Sequence, residues 1–213
     1  MTQIKLLSLA PLAQPDCFTA AQEMLWEERR REIRQIKSDL ARRQRTGAGA
    51  LLTHTLRQWG ISSFSYAVHP SGKPFLQDHP EVFFSLSHSG EWALCAVSDR
   101  PIGADLQSLT HYRPAVAERM FPPEEAARLA ALPRAKQDRA FTAAWAAAES
   151  RVKYTGSWQT SLTAPAPRSV IASIPAVIMI SSPEATLPRA ELWEIEGSSA
   201  RSDAELQSDR EQN

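Results

Sequence analysis

The hydrophobic pattern of this chain changes period twice, and that change limits the fold more than any other feature. Leu52, Leu56 and Trp59 fall on one face of a helix read over Leu40 to Trp59, with Gly60 as its cap. From Phe64 the spacing drops to two. Phe64, Tyr66 and Val68 alternate with polar or small residues, as a half-buried strand requires. Val82 to Leu86 and Trp92 to Val97 read as two further strands about a hairpin-like connection, Ser87-His88-Ser89-Gly90, and Ile102 to Leu106 as another short one. Turns at His69 to Pro74 and Asp99 to Pro101 separate them. Helical spacing then returns over Gln137 to Tyr154, with Phe141, Trp145, Ala148 and Val152 at i, i+4, i+7 and i+11, and Gly156 ends that helix. Helices alternating with groups of strands predict an α/β chain of the α+β kind.

The flanks follow the same logic. Residues 3–9 read as a strand and Ala20 to Leu40 as a helix, with the charge run Glu27 to Glu32 as its solvated face. Pro122-Pro123-Glu124-Glu125 starts a helix that Pro133 stops. Beyond Gly156 five prolines fall between Pro165 and Pro188. Ser169 to Ile180 and Glu191 to Ile195 are strand candidates, with Pro175 interrupting the first. Each half runs helix then strands, so the chain divides into an N-terminal lobe (1–100), a C-terminal lobe (101–195) and a polar tail (196–213) expected to be disordered.

Composition narrows the function. Lys plus Arg and Asp plus Glu both number 24, and a net charge of zero argues against coating nucleic acid. No apolar run has the length of a membrane span, and the N-terminus lacks the charged and apolar regions of a signal peptide. Cys17 and Cys95 are the only cysteines, too few for a disulfide framework or a thiolate zinc cage, which fits the cytoplasm.

Three clusters carry chemistry. In Ile102-Gly103-Ala104-Asp105-Leu106-Gln107, Asp105 and Gln107 point to one face of a strand, and Gly103 admits a close neighbour to the backbone. In Trp145-Ala146-Ala147-Ala148-Glu149-Ser150-Arg151-Val152-Lys153, Glu149 lies beside the apolar stripe and one turn before Lys153. Ser85-Leu86-Ser87-His88-Ser89-Gly90 sets a histidine among hydroxyls, one hairpin after the cation of Gly72-Lys73-Pro74.

Taken in order, GKP, SLSHSGEWALCAVS, PIGADLQ and W-x-x-x-E-S-x-x-K resemble the 4'-phosphopantetheinyl transferases, in the longer two-lobed form that activates non-ribosomal peptide and polyketide synthases. The resemblance runs from about Arg42 to Gly156. It implies two similar lobes of antiparallel strands plus helix, related by a pseudo-twofold, with the active site between them. The family moves the phosphopantetheine arm of coenzyme A onto a serine of an acyl or peptidyl carrier protein. It releases adenosine 3',5'-bisphosphate and uses Mg²⁺. By this resemblance Asp105, Gln107 and Glu149 are the metal positions, Glu149 also takes the serine proton, and Lys153 supports the phosphates. Lys73 and His88 match 3'-phosphate contacts, Ser87 stands with them among the coenzyme A residues, and Arg45 matches an arginine near the adenosine, with Arg42 and Arg43 as rival alignments. One chain completes such a site, so a monomer is expected.

Three positions depart from the family pattern. Gln107 replaces a glutamate, Ala148 replaces a lysine, and residues 157–213 do not read as the usual glycine-rich loop and sheet strands, as a changed reading frame would leave them. These departures keep two other readings open: a coenzyme A-binding protein with impaired catalysis, and a Mg²⁺-dependent phosphohydrolase using Asp105 and Glu149.

Overall fold

The computed structural model describes residues 1–159, 161–170 and 172–195. The tail expected to be disordered, 196–213, lies outside them. In chain order the elements are β1 (Thr2–Ser8), α1 (Pro15–Glu23), α2 (Glu27–Arg34), α3 (Asp39–Gln58), β2 (Tyr66–Val68), β3 (Pro74–Leu76), β4 (Phe83–Ser89), β5 (Trp92–Ser98), β6 (Gly103–Ser108), α4 (Pro114–Met120), α5 (Pro123–Ala131), α6 (Arg134–Thr155), β7 (Arg168–Ser169), β8 (Ala176–Ser181) and β9 (Glu191–Trp193). The architecture is α+β, as the change of period predicts.

Two sheets form the framework. The first has the order β4-β5-β1-β9 and the second β6-β8-β7, while β2 and β3 make a separate hairpin. The strands alternate their faces. Ala93, Cys95 and Val97 of β5 join Leu51, Leu52 and Leu56 of α3 in one core. Leu94 and Ala96, with Ile4 and Leu6 of β1, meet Ala104, Leu106, Ile178 and Ile180 of the second sheet in another. A third core, around Leu129 and Phe141, packs α4 and α5 against the start of α6. Among the described residues no helix is long and apolar enough to cross a membrane.

The helix expected over Ala20 to Leu40 is interrupted. Trp26 is extended (φ −72°, ψ 158°), so α1 and α2 are separate. The break lets Leu25 bury while the Trp26 ring stacks on Tyr66 at 4.8 Å and meets Phe64 edge-on at 5.4 Å. Ser38 then starts α3 by accepting the Ala41 N–H at 3.3 Å, an ordinary N-cap.

The connection read at Ser87 to Gly90 also moves. β4 runs through Ser89, which pairs with Trp92, leaving a two-residue loop of Gly90 and Glu91. Gly90 takes φ +55°, which suits glycine at such a tight loop. Ser87 and His88 are therefore strand residues on opposite faces rather than turn residues.

Residues after Gly156 supply sheet strands, β8 and β9 falling on the two strand candidates read there, although 157–213 departs from the family pattern. β8 pairs antiparallel with all of β6, from Gly103 with Ser181 to Ser108 with Ala176. Pro175 stands just before β8, where no ladder N–H is required of it, so it precedes the strand instead of breaking it. β9 returns to the first sheet and pairs in parallel with β1 at Lys5, Leu6 and Leu7.

Candidate active site

A cleft of about 460 Å³ opens between the β2–β3 hairpin, β4, β6, α3 and α6. Its lining includes Arg45, Lys73, Ser87, His88, Asp105, Gln107, Glu149 and Lys153, every site residue expected from the sequence.

Gly103 explains how the two ends of this set meet. A Cβ there would stand 2.1 Å from the Ser150 carbonyl oxygen and 2.3 Å from the Tyr154 nitrogen. The close neighbour that glycine admits is therefore the backbone of α6. The helix buries the small residues Thr142, Ala146 and Ser150, and the Ser150 hydroxyl meets that of Ser181 in β8 at 3.1 Å. Phe141 and Trp145 of the expected apolar stripe pack instead toward α4 and α5, and Val152 lines the cleft. Intimate contact of α6 with β6 brings Lys153 onto Asp105.

Asp105 is the most constrained charge in the cleft, with 1% of its surface exposed. Its Oδ1 accepts from Ser87 Oγ at 2.8 Å and from Lys153 Nζ at 2.6 Å, and its Oδ2 accepts from Gln107 Nε2 at 3.0 Å. Such charge-assisted bonds are what a buried carboxylate requires. Burial raises the pKa of Glu149 above its ordinary value; the charge of Asp105 adds to the rise and Lys153 opposes it. Two carboxylates thus repel across the cleft, with one ammonium between their fields.

The rest of the cleft is positive. Desolvation lowers the pKa of His88, and Lys153, Arg45 and Arg29 lower it further. Lys73 is held down to about 8 by burial. Its Nζ donates to the Tyr154 carbonyl and stands 5.7 Å from the centre of that residue's ring. A cation there meets the negative end of α6. The three candidate arginines lie in different surroundings. Arg42 pairs with Asp39, and Arg43 holds the Leu9 carbonyl and both oxygens of Glu91, whereas Arg45 lines the cleft.

Arg29 is a charged lining residue that sequence reasoning missed. It belongs to the charge run taken as a solvated face, yet it is 9% exposed. Its guanidinium donates to Glu32 at 3.2 Å and to the Arg45 carbonyl at 3.4 Å, and lies 5.9 Å from the Trp26 ring centre. The available signal was position: Leu25, Arg29 and Ile33 are four residues apart, and both neighbours are buried. Ala148 is half-buried and does not join the lining. Among the described residues no group of three or more His, Cys, Asp or Glu side chains could hold a metal. The cleft offers two carboxylates and one amide.

The comparisons with known proteins find the family that the motifs resemble. Residues 101–174 match the model of the 4'-phosphopantetheinyl transferase superfamily. The chain is 32% identical over 133 residues to a "4'-phosphopantetheinyl transferase" of Bacillus subtilis, covering 61% of this chain and 59% of that one. It is 32% identical over 116 residues to "4'-phosphopantetheinyl transferase Sfp" of the same species, covering 53% and 52%. To "4'-phosphopantetheinyl transferase HetI" of Nostoc sp. it is 40% identical over 91 residues, covering 40% and 38%. The matched stretch spans about half the length of these relatives.

Proposed function

We propose that this chain transfers the 4'-phosphopantetheine arm of coenzyme A to a serine of an acyl or peptidyl carrier protein, releasing adenosine 3',5'-bisphosphate. The observation that carries the reading is the shared cleft: Asp105, Glu149 and Lys153 stand in the same cavity as Lys73, His88 and Arg45. Carboxylates and cations in one cleft suit a reaction that breaks a pyrophosphate and moves a proton. The relatives' names and the family match over 101–174 support the same class of transfer.

The donor set fits Mg²⁺. Asp105, Glu149 and Gln107 offer hard oxygens, and a divalent cation beside both carboxylates would favour the charged form of Glu149, which burial and then Asp105 oppose. Bound there, the ion would neutralise charge gathering on the pyrophosphate oxygens. The protein's own groups divide the remaining work. Lys153 leaves Asp105 for a phosphate and supports it through bond breaking. Glu149 takes the proton of the carrier serine, directly or through one water. Lys73, His88 and Arg45 hold the nucleotide end of coenzyme A. The cleft is built from one chain, which supports a monomer, and nothing in the reaction requires nucleic acid or a membrane. The cytoplasm, where coenzyme A and carrier proteins meet, is the compartment this reading implies.

A second reading, a coenzyme A-binding protein with impaired turnover, is favoured by one contact. Gln107 brings no charge and spends its amide on Asp105 Oδ2. Mass spectrometry of a carrier protein incubated with the chain, coenzyme A and Mg²⁺ separates the readings. Gain of the phosphopantetheine mass is expected. Coenzyme A binding without mass gain would favour the second reading, and hydrolysis of coenzyme A alone would overturn both.

A further inference from the structure

Ser87 has a single hydroxyl proton, and the fold has already placed it. The hydroxyl oxygen accepts the Leu106 N–H at 3.2 Å, and the proton goes to Asp105 Oδ1 at 2.8 Å. The Leu106 carbonyl, at 3.5 Å, is the longer alternative acceptor. Ser87 is 5% exposed. A hydroxyl used in this way has no donor left for a phosphate.

We propose that Ser87 is a positioning residue, which sets the carboxylate of Asp105 in the cleft, and is not a contact to the 3'-phosphate of coenzyme A. The proposal rests on reading the cleft as a coenzyme A and metal site. It replaces the role that the family resemblance implies for Ser87. Three donors hold Asp105, but they differ in stiffness. Lys153 and Gln107 reach it on long side chains that can swing to a ligand. Ser87 reaches it from a hydroxyl one carbon off the backbone of β4, a strand fixed by its ladder to β5. When Lys153 moves to a phosphate, Ser87 stays and keeps the orientation of the carboxylate. Partners of this kind commonly change metal affinity by about 10–100-fold when removed.

The neighbouring serine provides the control. Ser85 makes the same bridge to β6, accepting the Ala104 N–H at 2.9 Å, but its hydroxyl turns to the Ala104 carbonyl at 3.3 Å and not to a carboxylate. Removing Ser85 removes a bridge between the same two strands and leaves Asp105 alone.

The test compares Ser87→Ala, Ser87→Cys and Ser85→Ala with the wild-type chain in two titrations. Calorimetry gives the affinities for coenzyme A and 3'-dephospho-coenzyme A. Electron paramagnetic resonance gives Mn²⁺ binding in the presence of coenzyme A. Both Ser87 variants should weaken Mn²⁺ by about tenfold or more while holding the ratio of the two nucleotide affinities within about twofold. Ser85→Ala should move neither quantity beyond about twofold. Cysteine fills the site that alanine would empty and weakens the donor, so it carries the test if the alanine variant does not fold. Ser87→Thr, which keeps the hydroxyl, should restore Mn²⁺ binding. A collapsed nucleotide ratio in the Ser87 variants would make Ser87 a phosphate contact and overturn the proposal. Equal Mn²⁺ losses at Ser85 and Ser87 would reduce it to a structural bridge, also against the proposal, and unchanged Mn²⁺ binding in Ser87→Ala and Ser87→Cys would sink it alone. A wild-type chain that neither binds Mn²⁺ with coenzyme A nor modifies a carrier would remove the functional reading itself, and the proposal with it.

Discussion

The two edges of β6 are built differently. On one side it joins β8 through a backbone ladder along its whole length, Gly103 with Ser181 through Ser108 with Ala176. On the other it faces β4, and no ladder forms. The hydroxyls of Ser85, Ser87 and Ser89 accept the N–H groups of Ala104, Leu106 and Ser108 instead, at 2.9, 3.2 and 3.0 Å. Both strands are sheet edges, and side chains stitch them together. A ladder sets two backbones side by side and leaves their side chains above and below the sheet. The serine seam turns side chains of β4 toward β6, which is how Ser87 reaches Asp105. Stability should therefore concentrate on the ladder edge and chemistry on the seam edge.

The largest expected effects put that division at risk directly. On the ladder side, Ile178→Ala removes a side chain that is 1% exposed between the two sheets. It should cost about 2–5 kcal/mol in a denaturant melt, while the protein that remains folded keeps its transfer rate. On the seam side, Glu149→Gln should cut kcat for carrier modification by about 10²-fold, the scale of a lost general base. Its effect on stability should have the opposite sign. Burial raises the pKa of Glu149 in the fold, so the folded chain holds that proton more tightly than the unfolded chain does. Stability contributed by the group falls as pH rises through the window above its ordinary value of 4.5. A neutral glutamine escapes that loss, so Glu149→Gln should melt higher than wild type at pH 7. A variant that is slow and also less stable would make Glu149 a structural ion-pair partner of Lys153.

The same division explains what could be read in advance. Element types followed from period, because alternation along β5 and helical spacing along α3 and α6 report which faces are buried. The order of the motifs picked out residues that line one cleft, and Asp105 and Gln107 share a face because strands have period two. What escaped depends on contacts distant in sequence. Nothing local to Pro175 says that β8 will pair with β6, about seventy residues earlier in the chain. The seam was equally hidden. Ser85 reads as a strand residue and Ser87 and Ser89 as part of a polar connection, until β6 is laid beside them. The helix break at Trp26 depends on Tyr66 and Phe64, which arrive from another element.

Lys73 sharpens the comparison from the far end of the cleft, with a smaller effect. Its pKa of about 8 means that the free protein loses this cation within an accessible pH range. Below about 8 the ammonium is present to meet the 3'-phosphate; as pH rises through that value the free chain gives up the proton and must regain it to bind. Coenzyme A affinity should therefore fall between pH 7 and pH 9, and 3'-dephospho-coenzyme A affinity should fall less. Lys73→Arg, whose charge persists, should flatten the coenzyme A profile. Lys73→Ala should bring the two ligands closer in affinity at pH 7. Parallel losses for both ligands would leave Lys73 as a cap on the Tyr154 carbonyl and nothing more.

The smallest expected effect lies at Gln107, between the seam residues Leu106 and Ser108. Its amide nitrogen donates to Asp105 Oδ2, so the side chain now relieves the negative charge of the cleft without adding to it. Gln107→Glu removes that donor and sets a third carboxylate near Asp105 and Glu149. Two consequences of opposite benefit follow. Without a divalent cation the chain should melt lower, because like charges in a partly buried cleft repel. With Mg²⁺ the added oxygen should lower the concentration needed for half-maximal transfer, by about three- to tenfold if one further charge joins the coordination. Melting curves with and without Mg²⁺ should then cross, the variant being the weaker chain without the ion and recovering more stability when it is added. An unchanged Mg²⁺ requirement would set position 107 outside the reach of the ion. The orienting bond to Asp105 would then be its whole role, and Ser87 and Gln107 would hold the two oxygens of the carboxylate in the same way from the two strands of the seam.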